Sequence, residues 1–249
     1  MAKKPFQPNR STQDPNRLWI WGIHACHAAL ANPKRRCFRL LMNQSSAKDL
    51  APQVDKLSCR VEILDSQGLS RLLPDGAVHQ GIAMEVAPLS ALSLPDLRHK
   101  EAGVLIVLDQ VTDPHNVGAI IRTARALGAL GIIMTDRNAP PLSGVLAKAA
   151  SGALELLPLW QVTNLARTLD ELKEEGFWTV GLDERAPKTL SKADLPPKLA
   201  LVMGAEGEGL RRLTQEKCDF MTKLPTDPDF PTLNVSIATA LALYELVRG

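Results

Sequence analysis

Short β-like runs at residues 38–42, 60–64 and 82–86 alternate with helical stretches over the segment from Trp19 to about Ala87. The clearest of these helices starts near Ser45 or Ser46 and carries Leu50, Val54 and Leu57 at helical spacing. This pattern predicts a small α/β unit over residues 18–87. Residues 88–101 are punctuated by Pro and Ser between scattered leucines, as expected of a linker lying partly on a surface, with a domain boundary near residue 95. Beyond it, residues 104–108 form a continuous aliphatic run of the kind found in strands covered on both faces, and residues 132–134, 178–182 and 199–203 read alike. Helical segments at 116–127 and 165–175 lie between them, so residues 102–249 predict a mostly parallel sheet wrapped by helices.

Composition narrows the picture. A chain of 249 residues with 45% hydrophobic content buries a sizeable core, and a net charge of +2 gives no strong global attraction to nucleic acid, so any such affinity has to come from local patches. Residues 1–17 hold Lys3, Lys4, Arg10 and Arg17 among Pro, Gln, Asn and Ser and read as a flexible basic tail. Cys26, Cys37, Cys59 and Cys218 are far apart and form no C-x-x-C, which favours free thiols over a linear zinc motif. His24, His27, His79, His99 and His115 are scattered, and no metal requirement is visible. No apolar run approaches the roughly 20 residues of a membrane helix, so a soluble cytoplasmic protein is expected.

Ligands of open α/β sheets bind beyond the carboxyl ends of strands, and three segments there carry polar groups. The first follows the 104–108 run: Asp109 to Asn116, then a helix with Gly118, Arg122 and Arg125. Asn116 is a plausible N-cap, and the two arginines share a helix face that could address phosphates; a plain capped helix with solvated arginines is the competing reading. The second, Gly204 to Leu210, has three glycines in six residues, which permit close backbone approach to a ligand. Its G-x-x-G-x-G order is not the dinucleotide fingerprint, no Walker lysine follows, and its two acids suit a positively charged or neutral polar ligand. A nicotinamide dehydrogenase is disfavoured accordingly. In the third, Asn234 and Ser236 stand at the entrance to a helix at 237–247 that is apolar on most sides, as a helix buried in the core or against another subunit would be.

Together these segments resemble the three motifs of the SpoU/TrmH family of SPOUT RNA 2′-O-ribose methyltransferases. Asp113-Pro114-His115-Asn116 with Gly118 and Arg122 is similar to the first motif, Val202-Met203-Gly204 through Leu210 to the second, and Leu233-Asn234-Val235-Ser236 to the third. Gly22-Ile23-His24-Ala25 and His79-Gln80-Gly81-Ile82 resemble the bacterial subgroup that methylates guanosine in 23S rRNA. The resemblance implies a SPOUT-type knotted parallel-sheet domain behind a small ribosomal-protein-like RNA-binding domain, S-adenosyl-L-methionine (SAM) as cofactor, 23S rRNA as substrate, and a homodimer with active sites near the subunit interface. It implies a SAM pocket at Met203, Gly204, Leu224, Leu233 and Val235, and a catalytic centre of Asn116, Arg122, Glu206, Asn234 and Ser236. Arginine is effectively always protonated, so Arg122 is expected to hold phosphate and stabilise negative charge rather than act as base. Lys34, Arg35, Arg36 and Arg39 are candidate phosphate contacts of the small domain. A tRNA ribose methyltransferase with the same core and an RNA-binding protein without chemistry are the alternatives; the large amino-terminal domain weighs against the first and the intact Asn116, Arg122, Glu206 and Asn234 against the second.

Overall fold

A computed structural model describes residues 16–54, 59–89, 97–191 and 194–248; all of the expected basic tail except Asn16 and Arg17 lies outside them, as does Leu57. The first unit runs β1 (Leu18–Trp21), α1 (Ile23–Ala31), β2 (Cys37–Met42), α2 (Gln44–Val54), β3 (Arg60–Ile63), α3 (Ser66–Leu72) and β4 (Ile82–Val86). Its sheet has the order β1-β4-β2-β3, with β2 and β3 parallel and the other pairs antiparallel. Alternation along the strands sends Ile20, Leu40 and Met84 to one face and Trp21, Leu41 and Ala83 to the other. The first face packs with Cys26 and Ala29 of α1 and Leu50 of α2, the second with Leu69 of α3 and Leu73 just beyond it. The helix expected near Ser45 begins at Gln44 because the Asn43 side chain accepts from the Ser46 amide at 2.9 Å.

The second unit comprises β5 (Gly103–Asp109), α4 (Pro114–Ala126), β6 (Gly131–Thr135), α5 (Gly144–Ala149), β7 (Leu159–Val162), α6 (Leu165–Glu174), β8 (Trp178–Leu182), β9 (Lys188–Thr189), β10 (Lys198–Gly204), α7 (Arg212–Lys217), β11 (Phe220–Lys223) and α8 (Val235–Val247). Its seven strands, ordered β7-β6-β5-β10-β8-β11-β9, are all parallel. The four predicted strands are β5, β6, β8 and β10. Three short edge-side strands, β7, β9 and β11, were not foreseen, because runs of two to four half-exposed residues lack the aliphatic continuity of a central strand. In β5, Leu105 and Val107 face Leu169 and Leu172 of α6 and Phe177, while Ile106 and Leu108 face α4 and α8 through Ile120 and Leu243. Leu97, within the segment read as a linker, is buried with the Leu105 face.

Beyond β11 the chain returns past the carboxyl ends of the strands and lays α8 against α4, β5 and β10. The α8 helix buries Ala238, Thr239, Ala242, Leu243 and Leu246 but exposes Ile237, Leu241 and Tyr244. No helix among the described residues is long and apolar enough to cross a membrane.

Two sequence expectations need correction. Helix α4 is capped by Asp113, whose carboxylate accepts from the His115 amide at 2.9 Å, with Pro114 in the first turn; Asn116 is therefore inside the helix and its side chain is free for other work. Arg35 is no phosphate contact. Its guanidinium is buried, joined to Glu155 through Nε and Nη2 and donating from Nη1 to the Ala87 carbonyl at 2.7 Å. Among its neighbours, Arg36 lies over the Phe38 ring, Arg39 lies over Trp19 and pairs with Glu62, and Lys34 is exposed. All four cysteines are free thiols.

Candidate active site

Three loops meet at the carboxyl ends of β5 and β10, where successive strands diverge to opposite sides of the sheet, the usual place for a ligand in this architecture. The Asp109 carboxylate at the end of β5 is fully buried and accepts from the Arg211 amide at 3.1 Å and from Arg211 Nε at 2.6 Å. The loop entering α4 is thereby tied to the exit of the glycine loop.

The glycine loop is a tight backbone reversal. Ala205 bridges Gly209, whose amide donates to the Ala205 carbonyl at 2.9 Å with Gly209 at φ 71°. A Cβ on Gly204 would overlap the backbone of Gly209 and Leu210, so that position has no space for any side chain.

Glu206 projects from this reversal to the helix entrances. Its Oε1 accepts from Asn116 Nδ2 at 3.0 Å, from Asn234 Nδ2 at 2.6 Å and from the Val235 amide at 3.2 Å. Asn234 Nδ2 also donates to Asn116 Oδ1 at 3.0 Å. On its other side, Asn234 Oδ1 caps α8, accepting from the Ser236 amide at 2.9 Å and Ser236 Oγ at 2.6 Å. The Ser236 N–H, which can only donate, and the Glu206 carboxylate, which accepts, fix which end of the Asn234 amide faces which partner, and a carboxylate at the amino terminus of α8 is favoured by the helix dipole. Four of the five residues expected in a catalytic centre thus form one hydrogen-bonded group. Arg122 does not join it. It is exposed on α4, six residues and about 9 Å of helix rise beyond Asn116, with no hydrogen bond or ion pair among the described residues.

Beside this group a pocket opens between the ends of β8 and β10, the 224–233 segment and the start of α8. Met203, Gly204, Leu224, Leu233 and Val235 all line it, as does Glu206. Sequence reasoning missed the wall formed by Asp183, Glu184 and Arg185. Arg185 donates to Asp183 from its backbone and Nε, each at 2.9 Å, and from Nη2 at 2.7 Å, and this hydrogen bonding holds the Asp183 carboxyl below the usual carboxylate range. The signal was present: three charged residues directly after a recognised strand occupy the same kind of strand end that drew attention to Asp109 and Gly204.

His79, in a motif of the small unit, is occupied locally: Nδ1 accepts from the Gly81 amide at 3.0 Å and Nε2 meets Ser70 Oγ at 3.1 Å.

A parallel α/β sheet with a pocket at its strand ends, walled by carboxylates and backbone amides and flanked by a polar hydrogen-bonded group, defines an enzyme-like ligand-binding domain joined to a small α/β unit. Residues 103–244 match the SpoU rRNA Methylase family model, and residues 19–92 match the model for RNA 2′-O ribose methyltransferase substrate binding. The chain belongs to the SpoU methylase family. It is 40% identical over 236 residues, covering 92% of this chain and 95% of the relative, to the 23S rRNA (guanosine-2′-O-)-methyltransferase RlmB of Pseudomonas aeruginosa. It is 41% identical over 237 residues to the RlmB of Salmonella typhi, with 92% and 97% covered. Among solved structures, the SpoU methyltransferase AviRb of Streptomyces viridochromogenes in complex with AdoMet superposes with a TM-score of 0.79 at 22% identity, covering 93% of this chain and 89% of that one. An AdoMet-bound rRNA methyltransferase from Sinorhizobium meliloti gives 0.77 at 21% identity, with 93% and 87% covered. The fold is accordingly that of the SPOUT methyltransferases.

Proposed function

We propose that this protein transfers the methyl group of SAM to the ribose 2′-hydroxyl of a guanosine in 23S rRNA. The observation that carries this reading is the Glu206-centred group of Asn116, Asn234 and Ser236 set directly beside a pocket lined by all five residues expected to hold SAM. The pocket fits that cofactor: with Asp183 paired to Arg185, Glu184 and Glu206 leave its wall net negative, suited to a sulfonium and an amino group, while the Gly204 backbone and the Leu224 and Leu233 side chains suit a neutral flat base.

When bound, SAM supplies an electrophilic methyl group on a positively charged sulfur. The residues of this chain then have to hold a ribose oxygen in line with it. Asn116 and Asn234 fix the position of Glu206 by occupying Oε1, which leaves Oε2 to accept a hydrogen bond from the 2′-hydroxyl. With SAM bound, the ribose oxygen would take the methyl as the methyl–sulfur bond broke, and the hydroxyl proton would pass through its hydrogen bond to Glu206 Oε2 and on to water. Positioning of this kind supplies much of the rate in a transfer between two bound reactants. Arg122 holds a neighbouring phosphate and offsets charge developing on the oxygen, roles that suit a permanently charged planar fork.

The protein acts as a homodimer. Ile237, Leu241 and Tyr244 recur at i, i+4 and i+7 on α8 and are each about half exposed, an apolar stripe that a second copy would cover next to the site. Residues 18–87 bind RNA, 102–249 carry the chemistry with 88–101 between them, and the enzyme works in the cytoplasm, where its rRNA substrate is assembled.

The test is transfer of labelled methyl from SAM to 23S rRNA taken from cells lacking this protein, with the modified nucleotide mapped. Label on one guanosine 2′-oxygen is expected. Labelling of tRNA in a parallel reaction, with none on rRNA, would overturn the substrate and keep the chemistry.

A further inference from the structure

One short segment of the catalytic unit touches the small unit four times at intervals of three or four residues. A Cβ on Gly144 would overlap the Trp21 ring, so the start of α5 lies directly on β1. Lys148 Nζ donates to Gln80 Oε1, which also accepts from the Ile23 amide at 3.2 Å. At Gly152 (φ 89°) a Cβ would come within 2.9 Å of both the His24 carbonyl oxygen and the Ala28 methyl. Glu155 then closes the seam: both of its oxygens are bound by Arg35, and Oε2 also accepts from Asn32 Nδ2 at 2.8 Å, with both charged side chains 2% exposed.

The opposite side of the same segment is packed on α4. A Cβ on Gly118 would come within 2.8 Å of the Leu146 carbonyl oxygen and 3.0 Å of the Ala150 amide, so α4 and α5 meet backbone to backbone. Gly118 lies between Asn116 and Arg122 on that helix. The two motifs of the small unit singled out in the sequence, 22–25 and 79–82, therefore sit at a joint to the catalytic helix, since Gly22 and Gln80 both abut Lys148.

From this we infer that Glu155, with Arg35, Lys148 and Gln80, is a positioning element for the RNA: residues 144–155 dock the small unit rigidly onto α4, so that RNA held by the small unit is presented at a fixed distance and angle to Asn116 and Arg122. The inference rests on the proposed methyl transfer to RNA. A docked unit contributes its RNA contacts as an intramolecular event, whereas a unit tethered only by the connecting segment has to find the correct geometry for each substrate. The Arg35–Glu155 pair is buried on both sides, so removing the charge of one partner leaves the other uncompensated in the seam, while the Ala87 contact holds the guanidinium in place from within the small unit.

The full-length Glu155→Gln protein is the test, assayed with a 23S rRNA fragment that the unmodified protein methylates. KM for the fragment is expected to rise about tenfold, while kcat at saturating RNA and the affinity for SAM stay within about twofold, and small-angle scattering should show a larger radius of gyration. Wild-type KM in an expanded protein would overturn the inference, and so would a raised KM without expansion. Should Glu155→Gln fail to fold, Lys148→Met removes only a rim contact and is expected to raise KM about threefold with the melting temperature unchanged; a wild-type KM there would overturn the inference equally. Lack of methylation by the unmodified protein would instead strike the functional reading itself, so the two failures are distinct.

Discussion

Two glutamates each gather several hydrogen bonds in this protein, yet they are built for opposite ends. Glu155 is buried, spends both oxygens, and faces a permanent positive charge. Glu206 is exposed, spends only Oε1 among the described residues, and is held by two neutral amides and one backbone N–H. The first arrangement gives up any capacity to receive a ligand in exchange for rigidity, because no acceptor site is left and loss of either partner would strand a charge out of water. The second keeps Oε2 in reach of solvent while its position is fixed from the other side. An oriented but unsaturated acceptor is what a hydroxyl substrate requires, and location beside a pocket then gives it something to act on.

The largest effect should come from breaking the buried pair. Glu155→Ala is expected to destabilise the protein by about 3–5 kcal/mol, read as a lowered midpoint in urea unfolding, because it leaves the Arg35 charge in a dry seam. Glu206→Ala should reverse the pattern, with unfolding nearly unchanged and kcat down about a hundredfold at saturating SAM and RNA. Equal stability losses in the two variants would erase the distinction between them. Asn234→Ala sits between these extremes, since Oδ1 caps α8 and Nδ2 steadies Glu206. About 1 kcal/mol of stability should go with the cap, together with most of the activity.

Sequence patterns reached one of these glutamates and not the other for a physical reason. Glu206 sits in a glycine-dense loop at the end of an aliphatic strand, both of them local signals. Glu155 meets Arg35 across 120 residues of chain, in a turn with no pattern of its own, so in the sequence Arg35 reads only as one member of a basic cluster and a candidate phosphate contact. The Asn116 cap failed for a related reason: Asp113 and Asn116 are both capping residues in a polar run, and only Pro114, which favours the first turn of a helix, pointed to the earlier start. The central strands were legible because parallel strands buried on two faces are aliphatic throughout, whereas the edge strands, partly wet and only two to four residues long, carry no such mark.

Smaller effects sharpen the comparison further. Arg122→Lys keeps the charge but loses the planar fork, and kcat/KM for RNA should fall about tenfold with SAM affinity intact; near-normal turnover would remove the requirement for a bidentate group. The smallest expected change concerns Asp183. Its folded-state carboxyl is held below its ordinary value by Arg185, so its contribution is present above the usual aspartate pKa of about 4 and lost as pH falls through the lowered folded value. The stability difference between the unmodified protein and Asp183→Asn, read from urea unfolding, should accordingly be constant between about pH 5 and 8 and shrink only in stronger acid.

The register of the large sheet has a kinetic consequence. Gly103 of β5 finds its partner Lys198 of β10 only 95 residues later, and the walls of the pocket are drawn from β8, β10, the segment after β11 and α8. Helices α4 and α6 can flicker into place early, but a chain that has joined only β5, β6 and β7 owns no pocket at all. Such distant pairing folds slowly, on the order of milliseconds to seconds or longer, and makes ligand recognition a property of the finished protein alone. The cofactor can reward correct folding after the event, but it cannot guide the early steps.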